Sequence, residues 1–445
     1  MISSKLAGER IAMLAVLALA LAGCALGRLV PPPPAPHHVI QQAVDLVRIV
    51  CTLALAVSLL LGPGVAWRAL GPADRPLGLG FVPLPGLLML AAGGAVAWAL
   101  GDVIDPWTIS TILFVPVLLG IGGILAWGPA PMIFDEDERR VVLVVGCVLG
   151  LAIARSLWSP GPEGELYAGT VSRTLEVGDR SDSRISYHVV QLVAAGEGPY
   201  GSLATELLKP YNFSSRGPLP GLAATPVVLL AGGHPSSTGR PVEPWVPFDE
   251  AGFMAYRLAM MSFAVVAFLA LWDLVRRVAG RDGGYLAVLL AATTPFLVHE
   301  VWFTWPKMLA AGIVLLAAIG VIYRRPFRAG LLAGLGYLVH PGVLLAVPTL
   351  GLISLWPLSR ARWNRPRVRD GVLLAIGLAI FLVAWRLVNG RHYDQSEFLD
   401  YFLRTGPGGT LGLGVDWVVS RLHSVGNTLV PLLLPVADAG NAAIN

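Results

Sequence analysis

The chain has little charge. Of its 445 residues, 32 are Lys or Arg and 28 are Asp or Glu, together 13%. Soluble domains carry about 25%, so a chain this long with so few polar groups cannot cover its apolar content with an aqueous surface. Cysteine is scarce as well. Cys24, Cys51 and Cys147 all lie in apolar runs, an arrangement that suggests neither a disulfide framework nor a metal site. The sequence contains no P-loop glycine cradle, no CxxC, no HExxH and no basic segment interleaved with aromatics. Those absences leave phosphate-cradling nucleotide chemistry, zinc hydrolysis and nucleic-acid partners without a footing. The net charge of +4 is small and falls mostly in short loops, where it acts as a topology signal.

What the chain has in quantity is apolar sequence: 55% hydrophobic residues and a mean hydropathy of +0.68. A transmembrane helix needs about 20 mainly apolar residues. By that measure spans fall near 11–30, 48–66, 80–100, 107–127, 141–157, 253–275, 283–299, 308–323, 329–339, 342–358 and 371–388. The reading is an all-α polytopic membrane protein of roughly eleven helices. The ninth and tenth are short and meet at His340-Pro341, which suits a shallow hairpin. Four regions follow: an N-terminal membrane module of five spans at 1–157, a polar loop at 158–252, a second membrane region at 253–388, and a tail at 389–445.

Arg and Lys mark one side. Lys5 and Arg10 precede the first span, Arg68 and Arg75 follow the second, and Arg139 and Arg140 precede the fifth. Arg276, Arg277 and Arg281 follow the sixth, Arg324, Arg325 and Arg328 follow the eighth, and a cluster from Arg360 to Arg369 precedes the last. The positive-inside rule makes this side cytoplasmic, with the N-terminus inside, the loop 158–252 outside, and a bacterial inner membrane as the location. Leu21-Ala22-Gly23-Cys24 has two readings: an ordinary stretch of the first helix, or a lipoprotein signal in which Cys24 is the mature terminus.

The outer loop holds most of the polar chemistry, including Asp179, Asp182, Tyr187, His188 and Arg216. Ser186–Ala195 has apolar residues at helical spacing and suits a helix lying on the outer leaflet. Asp179 and Asp182 then sit just before its start, where carboxylates also serve as plain caps. Leu219–Leu230 is apolar but too short to cross, and Pro220 and Pro226 interrupt it. It reads as a surface or re-entrant segment buried against protein.

The order of these patterns resembles bacterial membrane glycosyltransferases of the GT-C type, the group that includes protein O-mannosyltransferases and lipid A aminoarabinose transferases. The segments that carry the resemblance run from Asp179 to Pro348. They are GDRSDSRISYHVVQLVAAGEGPY (178–200), RGPLPGLAATPVVLLAGG (216–233), AYRLAMMSFAVVAFLALWDLVRRVAGR (255–281), YLAVLLAATTPFLV (285–298) and AGLLAGLGYLVHPGVLLAVP (329–348). The chain departs from the pattern in three ways. Its first four spans are additional, TWPK (304–307) stands where many relatives carry an acidic residue, and no large outer C-terminal domain follows.

The resemblance implies transfer of a sugar from a polyprenyl-phosphate donor to a glycan, lipid or protein acceptor at the outer face. An acceptor hydroxyl then needs a carboxylate base, for which Asp182 is the first candidate and Asp179 the second. The leaving phosphate needs cations or a metal. Members of the group use Arg and Lys or a divalent cation, and no metal-ligating cluster stands out in this sequence. The substrate-binding candidates are Tyr187, His188, Arg216, Arg257, Lys307 and His340. Each has a plainer alternative. Lys307 is equally an interfacial anchor beside Trp302 and Trp305, Arg257 a snorkelling residue, and His340 an ordinary helix end. His299-Glu300 reads as a solvated interfacial pair, and Asp273 as a span-end residue.

Two other functions fit a many-span chain: a transporter or flippase for a lipid-linked substrate, and a non-catalytic scaffold of envelope assembly. The topology can be tested directly. Alkaline phosphatase fused after Ala35 or Gly198 is expected to be active, and fused after Asp74 or Arg325 inactive. The reverse pattern would overturn the orientation.

Overall fold

The computed structural model describes residues 2–29, 39–71, 77–128, 133–158, 182–208, 213, 217–233, 250–302, 305–355 and 368–392. Among them every regular element is helical. Asp179 and Arg216 lie outside the described residues, as does nearly all of 389–445. The helices are α1 (Ile2–Leu29), α2 (Val39–Leu70), α3 (Pro83–Leu100), α4 (Pro106–Trp127), α5 (Glu136–Trp158), α6 (Asp182–Ala194), α7 (Ser202–Leu208) and α8 (Leu219–Leu230). They continue with α9 (Glu250–Ala264), α10 (Val266–Thr293), α11 (Pro295–Trp302), α12 (Lys307–Ile322), α13 (Pro326–Val339), α14 (Val347–Leu355) and α15 (Val368–Asn389).

Among the described residues six stretches are long and apolar enough to cross a bilayer: Gly8–Leu29, Leu46–Leu70, Leu79–Leu100, Pro106–Trp127, Gly252–Thr293 and Val368–Asn389. A seventh results if α11 and α12, bent by 113° at their break, are taken as one span. The chain is therefore a multi-pass membrane protein. Exposed large apolar side chains such as Ile112 and Leu119 on α4, Leu143 and Leu151 on α5, and Leu286 and Leu290 on α10 form the outward face that lipid requires and water would not tolerate.

Six is fewer than the eleven spans expected, and the reasons are local. α12 has 16 residues and α13 has 14, which reach about 24 and 21 Å at 1.5 Å per residue against a hydrocarbon core of about 30 Å. Gly252–Thr293 is not one straight rod. The Trp272 and Tyr285 ring centroids are 4.8 Å apart, where thirteen residues of straight helix would separate them by about 20 Å. The chain reverses at Gly280, whose φ of 81° suits a residue without a Cβ. The expected spans 253–275 and 283–299 are the two arms of this hairpin.

The core lies where α2, α3, α8 and α9 meet. α8 is buried on nearly every side, with 11 of its residues from Leu219 to Leu230 inside. A Cβ on Gly217, just before α8, would clash with the Leu338 carbonyl near the end of α13. Gly232, just after it, abuts the Gly27 backbone near the end of α1. Both ends of α8 thus touch the same end of the bundle, so this helix lies across it and does not traverse it.

The opposite end carries the charge. Glu138 Oε2 and Oε1 accept from Arg68 Nη1 and Nη2 at 2.7 and 2.8 Å, with Arg68 6% and Glu138 5% exposed. Arg68 also donates to the Leu77 and Ile133 carbonyls at 2.6 and 3.0 Å. Glu138 and Asp135 form a reciprocal capping box at the start of α5 (2.7 and 3.3 Å), satisfying amides the helix leaves open. Around this pair Arg139 meets Glu9, Arg281 meets Asp137 at 2.7 Å, and Arg10 donates to the Gly128 carbonyl at 2.8 Å. Asp273, expected to be an ordinary span-end residue, is fully buried and holds Arg277 at 3.1 Å and Arg276 at 3.6 Å. Arg277 stacks on Tyr323, and Arg324 pairs with Asp370 at 3.0 Å. Basic clusters far apart in sequence are therefore gathered at one end of the bundle.

Breaking a buried ion pair leaves an uncompensated charge. Glu138→Ala is expected to cost about 3–5 kcal/mol, read as a lower melting temperature in detergent. The double variant Arg68→Met/Glu138→Leu should lose clearly less.

Candidate functional site

The end opposite the ionic network is built from aromatic side chains and a few polar ones. α6 is amphipathic and turns its apolar side inward, so Ile185, Val189, Leu192 and Val193 pack with Leu207, Leu208 and Phe213. The α8 backbone meets α6 at Gly221, where a Cβ would strike the Ser186 carbonyl. Trp98 Nε1 donates to the Glu197 carbonyl at 2.6 Å, and Tyr200 donates to Asn389 Oδ1 at 3.1 Å. These contacts tie α6 and α7 to the ends of α3 and α15.

Tyr187 projects from α6 into α9. Its ring lies 5.0 Å from Phe253 and 5.2 Å from Tyr256, and it is 1% exposed. It is packed as core. His188, next to it, is also buried, and its Nδ1–H donates to Gln191 Oε1 at 2.7 Å within the same helix. Asp182 is the first residue of α6, five positions before Tyr187, or about 7.5 Å along the helix axis.

Arg257 follows Tyr256 on α9 and is 0% exposed. It does not snorkel, because the α11–α12 bend covers it. Its guanidinium carbon sits 5.9 Å from the centre of the Trp302 ring, a distance at which a cation is attracted by the ring face. Lys307 opens α12 on the far side of the same bend, with its Nζ 3.2 Å from the centre of the Trp305 ring. Lys307 thus lies beside the tryptophan that its anchor reading named, while Arg257 of α9 lies beside Trp302 on the other arm of the bend. Pro306, just before Lys307, sets the local break, since a proline is accepted at a helix start and not inside one.

Glu300 was expected to be solvated. It is buried at 6% exposure on α11, within electrostatic range of Lys307, while the neighbouring His299 ring packs edge-on against Trp302 at 5.3 Å. Its sequence signal was present but weak: a carboxylate two residues from a Trp, followed by a Trp-Pro-Lys break. His340 plays the plainer part considered for it. Its Nδ1 accepts from the Gly342 amide at 3.0 Å and caps the short 3-10 turn Pro341–Ala346.

The structure therefore brings Arg257, Lys307, Glu300, Trp302 and Trp305 to one bend, with the Tyr187–Phe253–Tyr256 cluster alongside through α9. His340 is engaged at the end of α13. Among the described residues no group of His, Cys, Asp and Glu has the makings of a metal site. No protein-family model, curated protein or solved structure matches the chain.

Tyr187 fills space that its neighbours cannot close. Tyr187→Ala is expected to destabilise the protein by about 3–5 kcal/mol, and Tyr187→Phe by about 1 kcal/mol, measured by thermal unfolding in detergent.

Proposed function

We propose that the protein is a membrane glycosyltransferase that takes a sugar from a polyprenyl-phosphate donor and delivers it to an envelope glycan, lipid or protein at the extracytoplasmic face of a bacterial inner membrane. The observation that carries this reading is the fully buried Arg257 beneath the α11–α12 bend, with Lys307 on the other side of that bend. A departing lipid phosphate develops negative charge, and two cations held in an aromatic, water-poor frame oppose that charge far better than solvated ones. In this reading α5, the second arm of the Gly280 hairpin and the shorter helices α12, α13 and α14 complete the eleven spans, and the ionic end is the cytoplasmic one.

Asp182 takes the acceptor proton, with Asp179 as the other candidate. A carboxylate at the entry of α6 lies on the helix that packs against α9, the element carrying Arg257. Arg216, just ahead of α8, is a further phosphate contact. Where a divalent cation takes part, these carboxylates are the groups that would hold it.

A second reading has one observation in its favour. The sharp α11–α12 bend and the transverse α8 are interrupted elements of the kind transporters use around a substrate. In proteoliposomes, uptake of a lipid-linked substrate without sugar transfer would favour it over the transferase.

The experiment is a glycan-transfer assay with single variants. Asp182→Asn is expected to reduce transfer by about 10²–10⁴-fold, with Asp179→Asn weaker, while Arg257→Gln lowers the rate and leaves acceptor binding intact. Full transfer in both aspartate variants would remove the assigned mechanism.

A further inference from the structure

At the ionic end, α13 and α15 meet more closely than side chains usually allow. A Cβ on Gly330 would strike the Leu374 carbonyl, and one on Gly377 the Phe327 carbonyl. The two backbones therefore touch, and their flanks diverge into a laterally open depression of about 350 Å³, lined by Arg325, Pro326, Phe327, Arg328 and Leu373.

The charge inside this depression is unbalanced. Asp370, three residues before the lining residue Leu373, is already paired with Arg324 at 3.0 Å. Neither Arg325 nor Arg328 has an ion-pair partner among the described residues, and Arg369 is exposed close by. Elsewhere at this end arginines meet carboxylates: Arg68 with Glu138, Arg139 with Glu9, Arg276 and Arg277 with Asp273, and Arg281 with Asp137. Among the described residues Arg325 and Arg328 have no such carboxylate.

The surface leading away from the depression is apolar. Val372, Ile376, Ile380, Val383 and Leu387 are all 48–66% exposed on α15 and recur every three or four residues, so they form one stripe. From Val372 to Leu387 it rises about 22 Å, close to the depth of one bilayer leaflet and more. Phe327 is exposed at the stripe's foot.

The geometry points to a binding site for an anionic phospholipid, with its phosphate between Arg325 and Arg328 and its acyl chains along the α15 stripe. A free phosphate would use the two arginines but not the stripe, and a zwitterionic lipid would use the stripe without answering the surplus charge. The site needs only the membrane-spanning bundle and is independent of the transferase reading.

The test uses the full-length protein in phosphatidylcholine vesicles containing a minor fraction of phosphatidylglycerol, with spin-labelled versions of each lipid. The wild type is expected to immobilise labelled phosphatidylglycerol in preference to labelled phosphatidylcholine. Arg325→Gln and Arg328→Gln should each lower that preference about fivefold, and Arg325→Lys/Arg328→Lys should retain most of it. Arg140→Gln removes a charge from the same end but outside the depression and should leave the preference unchanged. Equal immobilisation of the two lipids by the wild type would overturn the proposal, whatever the variants do. So would an unchanged preference in Arg325→Gln/Arg328→Gln. Displacement of the labelled lipid by inorganic phosphate, beyond that caused by chloride at equal ionic strength, would make it a phosphate site and overturn the lipid assignment.

Discussion

The Arg68–Glu138 pair sits where the rest of the bundle is decided. Removing two charges from water costs several kcal/mol for each ion, and their mutual attraction offsets that only when the remaining hydrogen-bonding capacity is also met. Here it is. Arg68 spends its other donors on the Leu77 and Ile133 carbonyls, and Glu138 takes the Asp135 amide as its share of the capping box. One guanidinium thus joins the end of α2, the approach to α3 and the start of α5. The link continues outward, because Asp135 also lies 3.8 Å from Arg276 of α10. The Gly280 reversal is held at the same end by Arg281 and Tyr285, both bound to Asp137 at 2.7 and 3.0 Å. With the base of the hairpin anchored, its returning arm must rise to the far end of the bundle, and there the chain breaks into the α11–α12 bend.

The two ends consequently handle charge in different ways. At the ionic end, most arginines meet carboxylates, several of them on other helices, so the network acts as structure. At the far end, Arg257 and Lys307 lie against tryptophan rings with Glu300 in electrostatic range of Lys307, and cation–π contacts contribute only about 0.5–2 kcal/mol each. An anionic substrate group entering there would gain from both cations. In the proposed reading, Trp302 and Trp305 frame the cations that meet a developing phosphate charge.

How much of this was legible beforehand follows from the physics of each feature. Membrane class is a bulk property, so scarce charge and long apolar runs revealed it at once. The gathering of Arg10, Arg68, Arg139, Arg276 and Arg324 at one end was legible too, because loop charge tracks topology. The span count was not, since α12 and α13 are short, whereas the Gly280 turn falls between the expected sixth and seventh spans. Nor was the burial of Glu300 or Asp273. Both look interfacial by sequence position, and only the tertiary partners, Lys307 for one and Arg276 with Arg277 for the other, make their burial tolerable. Arg257 looked able to snorkel because it lies near a helix start; the α11–α12 bend that covers it comes from a break some fifty residues later in the chain.

Arg257 also bears on which function fits. A scaffold gains nothing from a fully buried guanidinium that an apolar side chain of similar volume would not supply, often with better stability. A transporter places its ionisable groups near mid-membrane, at the junction of repeated halves, whereas Arg257, Lys307 and Glu300 cluster at one end, beneath a bend and beside α6 and α8. In the proposed reading, a transferase working on a lipid-linked donor needs its cations near one end of the bundle, where the carrier phosphate meets an acceptor arriving from water. The position of Arg257, more than its charge, is therefore what the proposed transferase reading rests on.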